Sequence, residues 1–426
     1  MSTTLYPKNV TGHITMVASK SQTIRALLIA TFAKGKSIIH NALESDDTFA
    51  CITVCRAFGA TITVLADNSL LVQAPQTFPD SIAVDCGNSG TTLYLATGLA
   101  ASIACPVTFT GDEQLQNRPL GELLRALTEL GVAVEALRPG YPPFTIRGPI
   151  TGGTTTIECH SSQYLSALLL GCPLGTNKST IYVPLLNERP YVKMTTSWLD
   201  NLGIAYESSP QMDKFSIAGQ QTYLPFETTI WGDYSSASFF FCSAAVTGGC
   251  VTVSGLDPDD SQGDKEILPV LEAMGCTVTW TDTTSVRVCG PKKGSLQSGV
   301  FDLNAMPDAL PVLAVTACYA QGKTMLTNVP QARIKETDRI TSMRKNLVAL
   351  GARVEEEEDA LVIYGNGELP GGPCKGFGDH RIIMAMAIAA LGAKNPVTID
   401  STAAVAVTFP TFFSLLEQIS EEIVHA

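Results

Sequence analysis

LTELGVAV (127–134) is one of five copies of a short pattern in which the last turn of a helix runs into a glycine and an alternating apolar segment follows. The other four copies are RAFGATI (56–62), LDNLGIAY (199–206), LEAMGCTV (271–278) and LVALGARV (347–354). Their glycines, at positions 59, 131, 203, 275 and 351, are 72, 72, 72 and 76 residues apart. Chance does not produce this spacing, so the sequence indicates internal repeats.

Each copy predicts a helix that ends on a glycine in the left-handed conformation, followed by a β-strand. A sixth copy is LLEQISEEIV (415–424), where Ser420 stands in the place of the glycine, 69 residues after Gly351. Six units of about 71 residues fill the 426-residue chain. A chain of this length exceeds one ordinary core, so two domains of ordinary size are the first expectation.

Each unit also contains a second helix that is apolar nearly all round and is preceded by a polar cluster. The clusters are ASKSQ (18–22), GNSGT (87–91), SSQ (161–163), GDYSSAS (232–238), MPD (306–308) and GDHR (378–381). Helices of this kind are buried on every side, and their first N–H groups need capping side chains or a ligand. If three units pack around each of two pseudo-threefold axes, the helix N-termini can face one cleft and attract anions.

Composition excludes several classes of protein. The net charge of -12 argues against nucleic acid as a partner, because phosphate binding requires a basic face. The apolar stretches are too short for a membrane span, and the first ten residues lack a secretory signal, so a cytoplasmic location is expected. The twelve cysteines include no CxxC and no Cys/His pairing at zinc spacing, and they are expected to be reduced and not to bind metal.

Several polar residues at helix starts are candidates for anion binding or proton transfer. Considered singly, each has a structural alternative, namely a solvated first turn, a helix cap or a surface salt bridge. Asp308, a lone carboxylate at the start of an apolar helix, is expected to have a lowered pKa because of the helix dipole. Arg118 stands before Pro119, where a helix is expected to begin, and Arg381 begins the most apolar helix.

Taken together and in order, these segments resemble the EPSP synthase family of enolpyruvyl transferases along the whole chain. The matching strings are SKSQTIRAL, GNSGTT, TGDEQLQNRPLGELL, SSQYLSALLL, GDYSSASFF, MPDA, RIKETDR and GDHRIIMA. The resemblance implies an α/β (α+β) fold, a two-domain inside-out α/β barrel of six βαβαββ repeats, with helix N-termini facing the interdomain cleft. It also implies a discontinuous first domain of residues 1–18 and 231–426, a second domain of residues 19–230, and the active site in the cleft.

The resemblance further implies transfer of the enolpyruvyl group of phosphoenolpyruvate to the 5-hydroxyl of shikimate 3-phosphate, a step of the shikimate pathway to aromatic amino acids. No cofactor or metal is expected, and the protein is expected to be a monomer. The residues expected to hold shikimate 3-phosphate are Ser21, Arg25, Ser161, Ser162, Gln163, Tyr191 and Lys335. Those expected to hold phosphoenolpyruvate are Lys20, Gly90, Arg118, Arg339 and Arg381. Asp308 resembles the base at the attacking hydroxyl, and Glu336 and Lys20 resemble the groups that handle the methylene and phosphate protons.

Four positions depart from the family's pattern. Tyr94 stands where an arginine is usual, Val407 replaces a lysine, Glu188 replaces a serine that touches the shikimate phosphate, and Gln331 replaces an asparagine. These changes leave two alternatives open, a transferase with a different cyclic-alcohol acceptor and a catalytically silent anion-binding protein. The related UDP-N-acetylglucosamine enolpyruvyl transferases carry a reactive cysteine in the loop that reads GDEQLQNRP here, and the absence of a cysteine from this loop argues against that activity. The acidic net charge disfavours an RNA-end cyclase.

Overall fold

The structure is a computed structural model and describes residues 2–421. Within that range the α-helices are α1 (Lys20–Phe32), α2 (Asp46–Ala57), α3 (Gly90–Ala100), α4 (Gly121–Glu129), α5 (Ser162–Gly171), α6 (Arg189–Asn201), α7 (Tyr234–Thr247), α8 (Ile267–Ala273), α9 (Leu310–Cys318), α10 (Arg339–Ala349), α11 (His380–Gly392) and α12 (Phe412–Gln418). No helix among these residues is both long enough and apolar enough to cross a membrane.

The strands occur singly or in groups of two to four before, between and after these helices. They are β1 (Thr3–Leu5), β2 (Asn9–Thr15), β3 (Lys36–His40), β4 (Thr61–Val64), β5 (Leu70–Gln73), β6 (Ile82–Asp85), β7 (Val107–Thr110), β8 (Ala133–Ala136), β9 (Phe144–Arg147), β10 (Gly153–Cys159), β11 (Ser179–Leu186), β12 (Tyr206–Ser208), β13 (Lys214–Ile217), β14 (Glu227–Thr229), β15 (Cys250–Ser254), β16 (Thr277–Trp280), β17 (Val286–Cys289), β18 (Leu296–Gln297), β19 (Val300–Asp302), β20 (Ala320–Thr327), β21 (Arg353–Glu356), β22 (Leu361–Asn366), β23 (Gly372–Cys374), β24 (Val397–Ile399) and β25 (Ser420–Glu421).

The chain forms two compact units. The inserted unit is Ala18–Ile230, and the terminal unit consists of the described parts of Met1–Val17 and Trp231–Ala426. The inserted unit contains three four-stranded sheets, with strand orders β14-β3-β5-β4, β6-β7-β9-β8 and β10-β11-β13-β12. In each sheet the first two strands are parallel and the others pair antiparallel, as a βαβαββ unit requires.

The terminal unit repeats this plan with variations. Its sheets have the orders β16-β17-β15-β2-β25, β18-β20-β22-β21 with β19 also paired to β20, and β1-β24-β23. The predicted α/β fold class is confirmed. The sixth repeat differs from the others, because β24 pairs with the N-terminal strand β1 in place of a following hairpin. The predicted strand after Ser420 lies partly outside the described residues, since the description ends at residue 421.

The predicted helix-ending glycines are confirmed. All five have positive φ, from 68° at Gly203 to 97° at Gly59 and Gly275, and a strand begins within three residues of each. This conformation favours glycine because it has no Cβ. At Gly131 space is a second requirement, since a Cβ there would collide with Oγ1 of Thr151.

The six apolar helices that begin at the polar clusters are buried as predicted. They are α1, α3 and α5 in the inserted unit and α7, α9 and α11 in the terminal unit, and each unit packs its three as a core. Close packing explains small residues inside α3, because a Cβ at Gly98 would collide with the carbonyl oxygen of Ala167 in α5. Five of the six helices have a Ser or Asp N-cap side chain that accepts from a first-turn N–H.

One sequence expectation about the cysteines is wrong. Cys250 and Cys289 form a disulfide, whereas all twelve cysteines were expected to be reduced. The two residues face each other in the antiparallel pair of β15 and β17, with their Cα atoms 4.1 Å apart. Sequence spacing does not reveal which residues face each other across two strands, so this proximity was not predictable. The other ten cysteines are free thiols.

Candidate active site

The first turn of α1 places Lys20 among polar side chains of two neighbouring helices. Its Nζ lies 3.2 Å from Oδ2 of Asp47, in the first turn of α2, and 3.4 Å from Oγ1 of Thr91, in the first turn of α3. Lys20 is mostly buried, so its ammonium group is held in place by these neighbours. The predicted position of Lys20 at a helix start is confirmed.

Arg25, one turn further along α1, is almost wholly buried, with 1% of its surface exposed. Its Nε donates to Oγ1 of Thr195 at 3.0 Å, Nη1 to the carbonyl oxygen of Ser21 at 3.0 Å, and Nη2 to the carbonyl oxygen of Tyr191 at 3.2 Å. This guanidinium therefore ties the start of α1 to the start of α6. The structure brings Ser21, Arg25 and Tyr191 together, as the resemblance implied.

The N-terminus of α5 carries three further predicted residues. Ser161 is the N-cap and accepts from the N–H of Gln163 at 3.3 Å, and Gln163 Nε2 donates to Oγ1 of Thr91 at 3.4 Å. Ser162 donates twice to one carboxylate oxygen of Glu188, from its N–H at 3.1 Å and from its Oγ at 2.6 Å. The donors of Ser162 are therefore engaged by a buried carboxylate of the chain itself.

Gly90 and Arg118 lie against each other in the same unit. A Cβ at Gly90, the first residue of α3, would collide with Nη1 of Arg118, so a larger residue here would push the guanidinium from its place. The helix expected at Pro119 begins later, at Gly121. The carbonyl of Pro119 accepts from the hydroxyls of Tyr94, at 3.0 Å, and Tyr164, at 2.7 Å. Tyr94, which replaces the family's arginine, thus helps to fix the segment beside Arg118.

The terminal unit holds a cluster around Arg339, the first residue of α10. Its Nη1 donates to Asp308 at 2.7 Å, its Nη2 to Glu336 at 2.5 Å, and its Nε to Asp379 at 2.8 Å. Arg339 is 1% exposed, whereas the side chains of Asp308 and Glu336 are 18% and 12% exposed. One buried guanidinium therefore orders three carboxylates, two of which remain partly accessible.

Arg381, in the first turn of α11, is the second buried guanidinium of this cluster. Its Nη2 lies 3.0 Å from Oδ2 of Asp308, and its backbone N–H donates to the N-cap Asp379 at 2.8 Å. Its Nη1 is buried and has no hydrogen-bond partner among residues 2–421. Buried guanidinium N–H groups usually have an acceptor, so this atom is suited to an anionic ligand.

The charges of this cluster act on Asp308. Burial works to raise the pKa of Asp308, but the positive charges of Arg381, Lys335 and Arg339 outweigh burial and hold the pKa well below its ordinary value. The lowered pKa was expected from a helix dipole. In the structure the pKa of Asp308 is lowered mainly by cationic side chains. Asp308 itself lies in the 3₁₀ turn Pro307–Ala309, which precedes α9.

Asp379 responds in the opposite direction. Burial raises the pKa of Asp379, and the neighbouring Arg339 only partly offsets this effect. The carboxylates of Asp379 and Glu336 in turn raise the pKa of Arg339, although burial works to lower it. The cluster can bind a carboxylate or phosphate through its guanidinium groups and can accept a proton on an ionised Asp308.

The structure thus gathers the predicted residues into one group in each unit. The group in the inserted unit is Lys20, Ser21, Arg25, Gly90, Arg118, Ser161, Ser162, Gln163 and Tyr191, and the group in the terminal unit is Asp308, Lys335, Glu336, Arg339 and Arg381. Lys335 and Glu336 lie in the loop before α10. Which substrate each residue contacts stays a prediction, as does the cleft.

Several residues of these groups were not assigned from sequence. Asp379 stands two residues before Arg381 at a helix start, and this position in the sequence could have marked it as a site residue. Asp47 and Thr195 gave no such signal, because their importance lies in contacts with residues far away in the sequence. Among the departures, Gln331 is buried and donates to the carbonyl of Asn304 at 3.1 Å, and Val407 is half-buried at the end of a 3₁₀ turn.

Comparison with known proteins agrees with these features. The family of EPSP synthase (3-phosphoshikimate 1-carboxyvinyltransferase) matches residues 6–416. A 3-phosphoshikimate 1-carboxyvinyltransferase of Ruminiclostridium cellulolyticum is 43% identical over 409 residues, which cover 95% of each chain. The enzyme of the same name from Acetivibrio thermocellus is 45% identical over 418 residues, covering 97% of this chain and 96% of the relative.

Solved structures give the same result. The EPSP synthase of Acinetobacter baumannii superposes with a TM-score of 0.80 and 25% identity, covering 99% of this chain and 98% of that one. The enolpyruvyl transferase NikO of Streptomyces tendae, at 18% identity, shares the fold with a TM-score of 0.77 and covers 98% of this chain and 97% of its own. The family match spans nearly the whole chain, and the relatives are well above 30% identical over nearly their full lengths. The chain therefore belongs to the EPSP synthase family.

Proposed function

We propose that this protein transfers the enolpyruvyl group of phosphoenolpyruvate to the 5-hydroxyl of shikimate 3-phosphate and releases phosphate. The observation that carries the proposal is the cluster in which Arg339 binds both Asp308 and Glu336 while Arg381 binds Asp308. It combines a candidate base, a candidate acid and two guanidinium groups in one cluster, whose members precede or begin the helices α9, α10 and α11. The family relatives named 3-phosphoshikimate 1-carboxyvinyltransferase support the choice of substrates.

The reaction requires an addition and an elimination. In the addition, the acceptor oxygen bonds to C2 of phosphoenolpyruvate while its proton leaves and another proton is added to C3. In the elimination, C3 loses a proton, the bond from C2 to the phosphate oxygen breaks, and phosphate leaves. We assign the hydroxyl proton to Asp308 and the transfers at C3 and at phosphate to Glu336 and Lys20.

The electrostatics of Asp308 suit a base that becomes stronger when substrate binds. In the free protein Arg381, Lys335 and Arg339 hold its pKa well below the ordinary value, so Asp308 is ionised and ready to accept a proton. A phosphoenolpyruvate anion bound to the arginines would neutralise part of this positive charge. The pKa of Asp308 would then rise, and the carboxylate would become more basic at the moment of proton transfer.

The remaining assignments follow the two groups of residues. In the inserted unit we assign Ser21, Arg25, Ser161, Ser162, Gln163 and Tyr191, with Lys335 of the terminal unit, to shikimate 3-phosphate. We assign Lys20, Gly90, Arg118, Arg339 and Arg381 to phosphoenolpyruvate. A cytoplasmic location and a monomeric state belong to the same proposal, and analytical ultracentrifugation tests the second.

The decisive assay is phosphate release from phosphoenolpyruvate, with and without shikimate 3-phosphate. Release that requires the acceptor supports the proposal, and no release from folded protein refutes it and leaves a silent anion-binding protein.

Asp308→Asn should reduce kcat by about a hundredfold or more while the Kd for shikimate 3-phosphate stays within about twofold. Asp359→Asn is the matched control, because Asp359 is an exposed carboxylate of the same unit. An equal loss of binding and turnover in Asp308→Asn would make Asp308 a structural residue.

A further inference from the structure

A carboxylate of the chain occupies the N-terminus of α5. Glu188 is 1% exposed, and its Oε2 accepts both the N–H of Ser162, at 3.1 Å, and the hydroxyl of Ser162, at 2.6 Å. Helix N-termini carry unpaired N–H groups and a partial positive charge, so they are the usual place for a bound anion. In this protein that anion is already supplied by a side chain.

The backbone holds Glu188 at this place. The chain turns between β11 and α6 there, and Glu188 is the N-cap of α6 with φ 56°, in the left-handed region that glycine and asparagine adopt more readily than glutamate. A glutamate in this conformation is uncommon and is retained only where the surroundings fix it. The two hydrogen bonds to Ser162 are part of that fixation.

The proposed function assigns Ser162 to shikimate 3-phosphate, whose phosphate group is the kind of anion that two donors at a helix N-terminus suit. A phosphate that bound Ser162 would meet the carboxylate of Glu188 at the same donors, and two anions at hydrogen-bond distance repel strongly in a buried site. Neighbouring Gln163 behaves differently. Its Oε1 is buried and has no hydrogen-bond partner among residues 2–421, so it can accept from an acceptor hydroxyl whether or not the acceptor carries phosphate.

We propose that Glu188 is a specificity-determining residue that competes with the acceptor's phosphate group for the donors of Ser162. The inference rests on the proposed function in that it takes shikimate 3-phosphate as the acceptor. Its consequence is a protein that discriminates weakly between the phosphorylated and the unphosphorylated cyclic alcohol. Removal of the carboxylate should therefore improve binding of the phosphorylated alcohol selectively.

The test is titration calorimetry with shikimate 3-phosphate and with shikimate, in the absence of phosphoenolpyruvate. Glu188→Gln keeps the size of the side chain and an oxygen that can accept both hydrogen bonds, but removes the charge. Glu188→Gly removes the whole competitor and adopts φ 56° without steric cost, so it provides a variant whose backbone is relaxed. Glu207→Gln, at an exposed position of the same unit, is the control for the change in net charge.

We expect Glu188→Gln to lower the Kd for shikimate 3-phosphate by about tenfold, which corresponds to about 1.4 kcal/mol. Glu188→Gly should lower it at least as much, because the donors of Ser162 are then open to the ligand. The Kd for shikimate should change by less than about twofold in both variants. Glu207→Gln should match the wild type with both ligands.

Unchanged or weaker binding of shikimate 3-phosphate by both folded Glu188 variants would overturn the inference, as would an equal gain for the two ligands. Thermal unfolding establishes that each variant is folded, and either variant alone suffices for the comparison. Because the titration needs no turnover, it is independent of the phosphate-release assay. If the Glu188 variants bind shikimate 3-phosphate more tightly but neither they nor the wild type release phosphate, only the proposed function is refuted. If the wild type releases phosphate but the variants do not bind shikimate 3-phosphate more tightly, only the inference about Glu188 is refuted.

Discussion

Replacing Arg339 by lysine removes the fork that orders the terminal unit's cluster. The guanidinium reaches Asp308, Glu336 and Asp379 through three different nitrogen atoms at 2.5–2.8 Å. A lysine ammonium is one point charge on a flexible stem, so it can keep only one of these contacts at full strength. The other two, at about 1.5 kcal/mol or more each for hydrogen bonds to charged groups, represent a loss of at least about 3 kcal/mol.

This loss is a large part of the 5–15 kcal/mol that is roughly typical of folded domains. We expect the melting temperature of Arg339→Lys to fall by roughly 6–12 °C, at roughly 2–4 °C per kcal/mol for a unit of about 150–250 residues. Calorimetry and urea unfolding measure the effect. Arg353→Lys is the matched control, because Arg353 is 70% exposed. The melting temperature of this variant should equal that of the wild type. A change of less than about 1 kcal/mol in Arg339→Lys would refute the reasoning, since the carboxylates would then be ordered without the fork.

Three further predictions concern pH, backbone conformation and a shared carbonyl. The pKa of Asp308 is lower in the folded than in the unfolded protein, so its ionised form stabilises the fold above about pH 4, and this contribution is lost as the pH falls. The difference in urea midpoint between wild type and Asp308→Asn should therefore shrink from pH 7 to pH 3. A difference that stays constant would contradict the lowered pKa. Gly203→Ala should lower the free energy of unfolding by roughly 1–2 kcal/mol because of the left-handed φ at this position. Gly131→Ala should lower it more, because the new Cβ also collides with Thr151. Equal free energies of unfolding for the two variants would disprove the role of the collision. Tyr94→Phe and Tyr164→Phe each leave the carbonyl of Pro119 with one hydroxyl donor, so each should lower the free energy of unfolding by about 1 kcal/mol. The double variant leaves it with neither hydroxyl and should lose more than the sum of the two single effects. Strict additivity in urea unfolding would count against a shared acceptor.

The repeat was readable from sequence because its signal is local. A helix that ends on a left-handed glycine and runs into an alternating strand involves only neighbours in the chain, so five copies could be aligned without any structure. The closing of the repeats was not readable. β14, at the end of the inserted unit, supplies the first strand of its first sheet, and β1 pairs with β24, because strand pairing depends on distant contacts.

The candidate site divides along the same line. Lys20, Arg25 and Arg381 were found because polar residues stand out at the start of apolar helices. Asp47 and Thr195, which contact two of them, lie on other helices and look like ordinary helix residues in the sequence. The cause of the lowered pKa of Asp308 was misassigned for the same reason, since the proximity of two arginines from α10 and α11 is a property of the packed unit.

The division of the terminal unit has a consequence for the order in which the chain can fold. β2 pairs in parallel with β15, and the N–H of Asp233 donates to the carbonyl of Val17 at 2.9 Å, so the two parts of this unit meet beside the points where the inserted unit leaves and re-enters. During synthesis the inserted unit is complete first, whereas the strand at β2 must wait for β15. Early folding of Ala18–Ile230 replaces a long flexible loop by a compact body and lowers the entropy that must be lost when the two parts join. The strands β1 and β2 therefore stay unpaired during synthesis for longer than any strand of the inserted unit, since their partners β24 and β15 come after it in the chain.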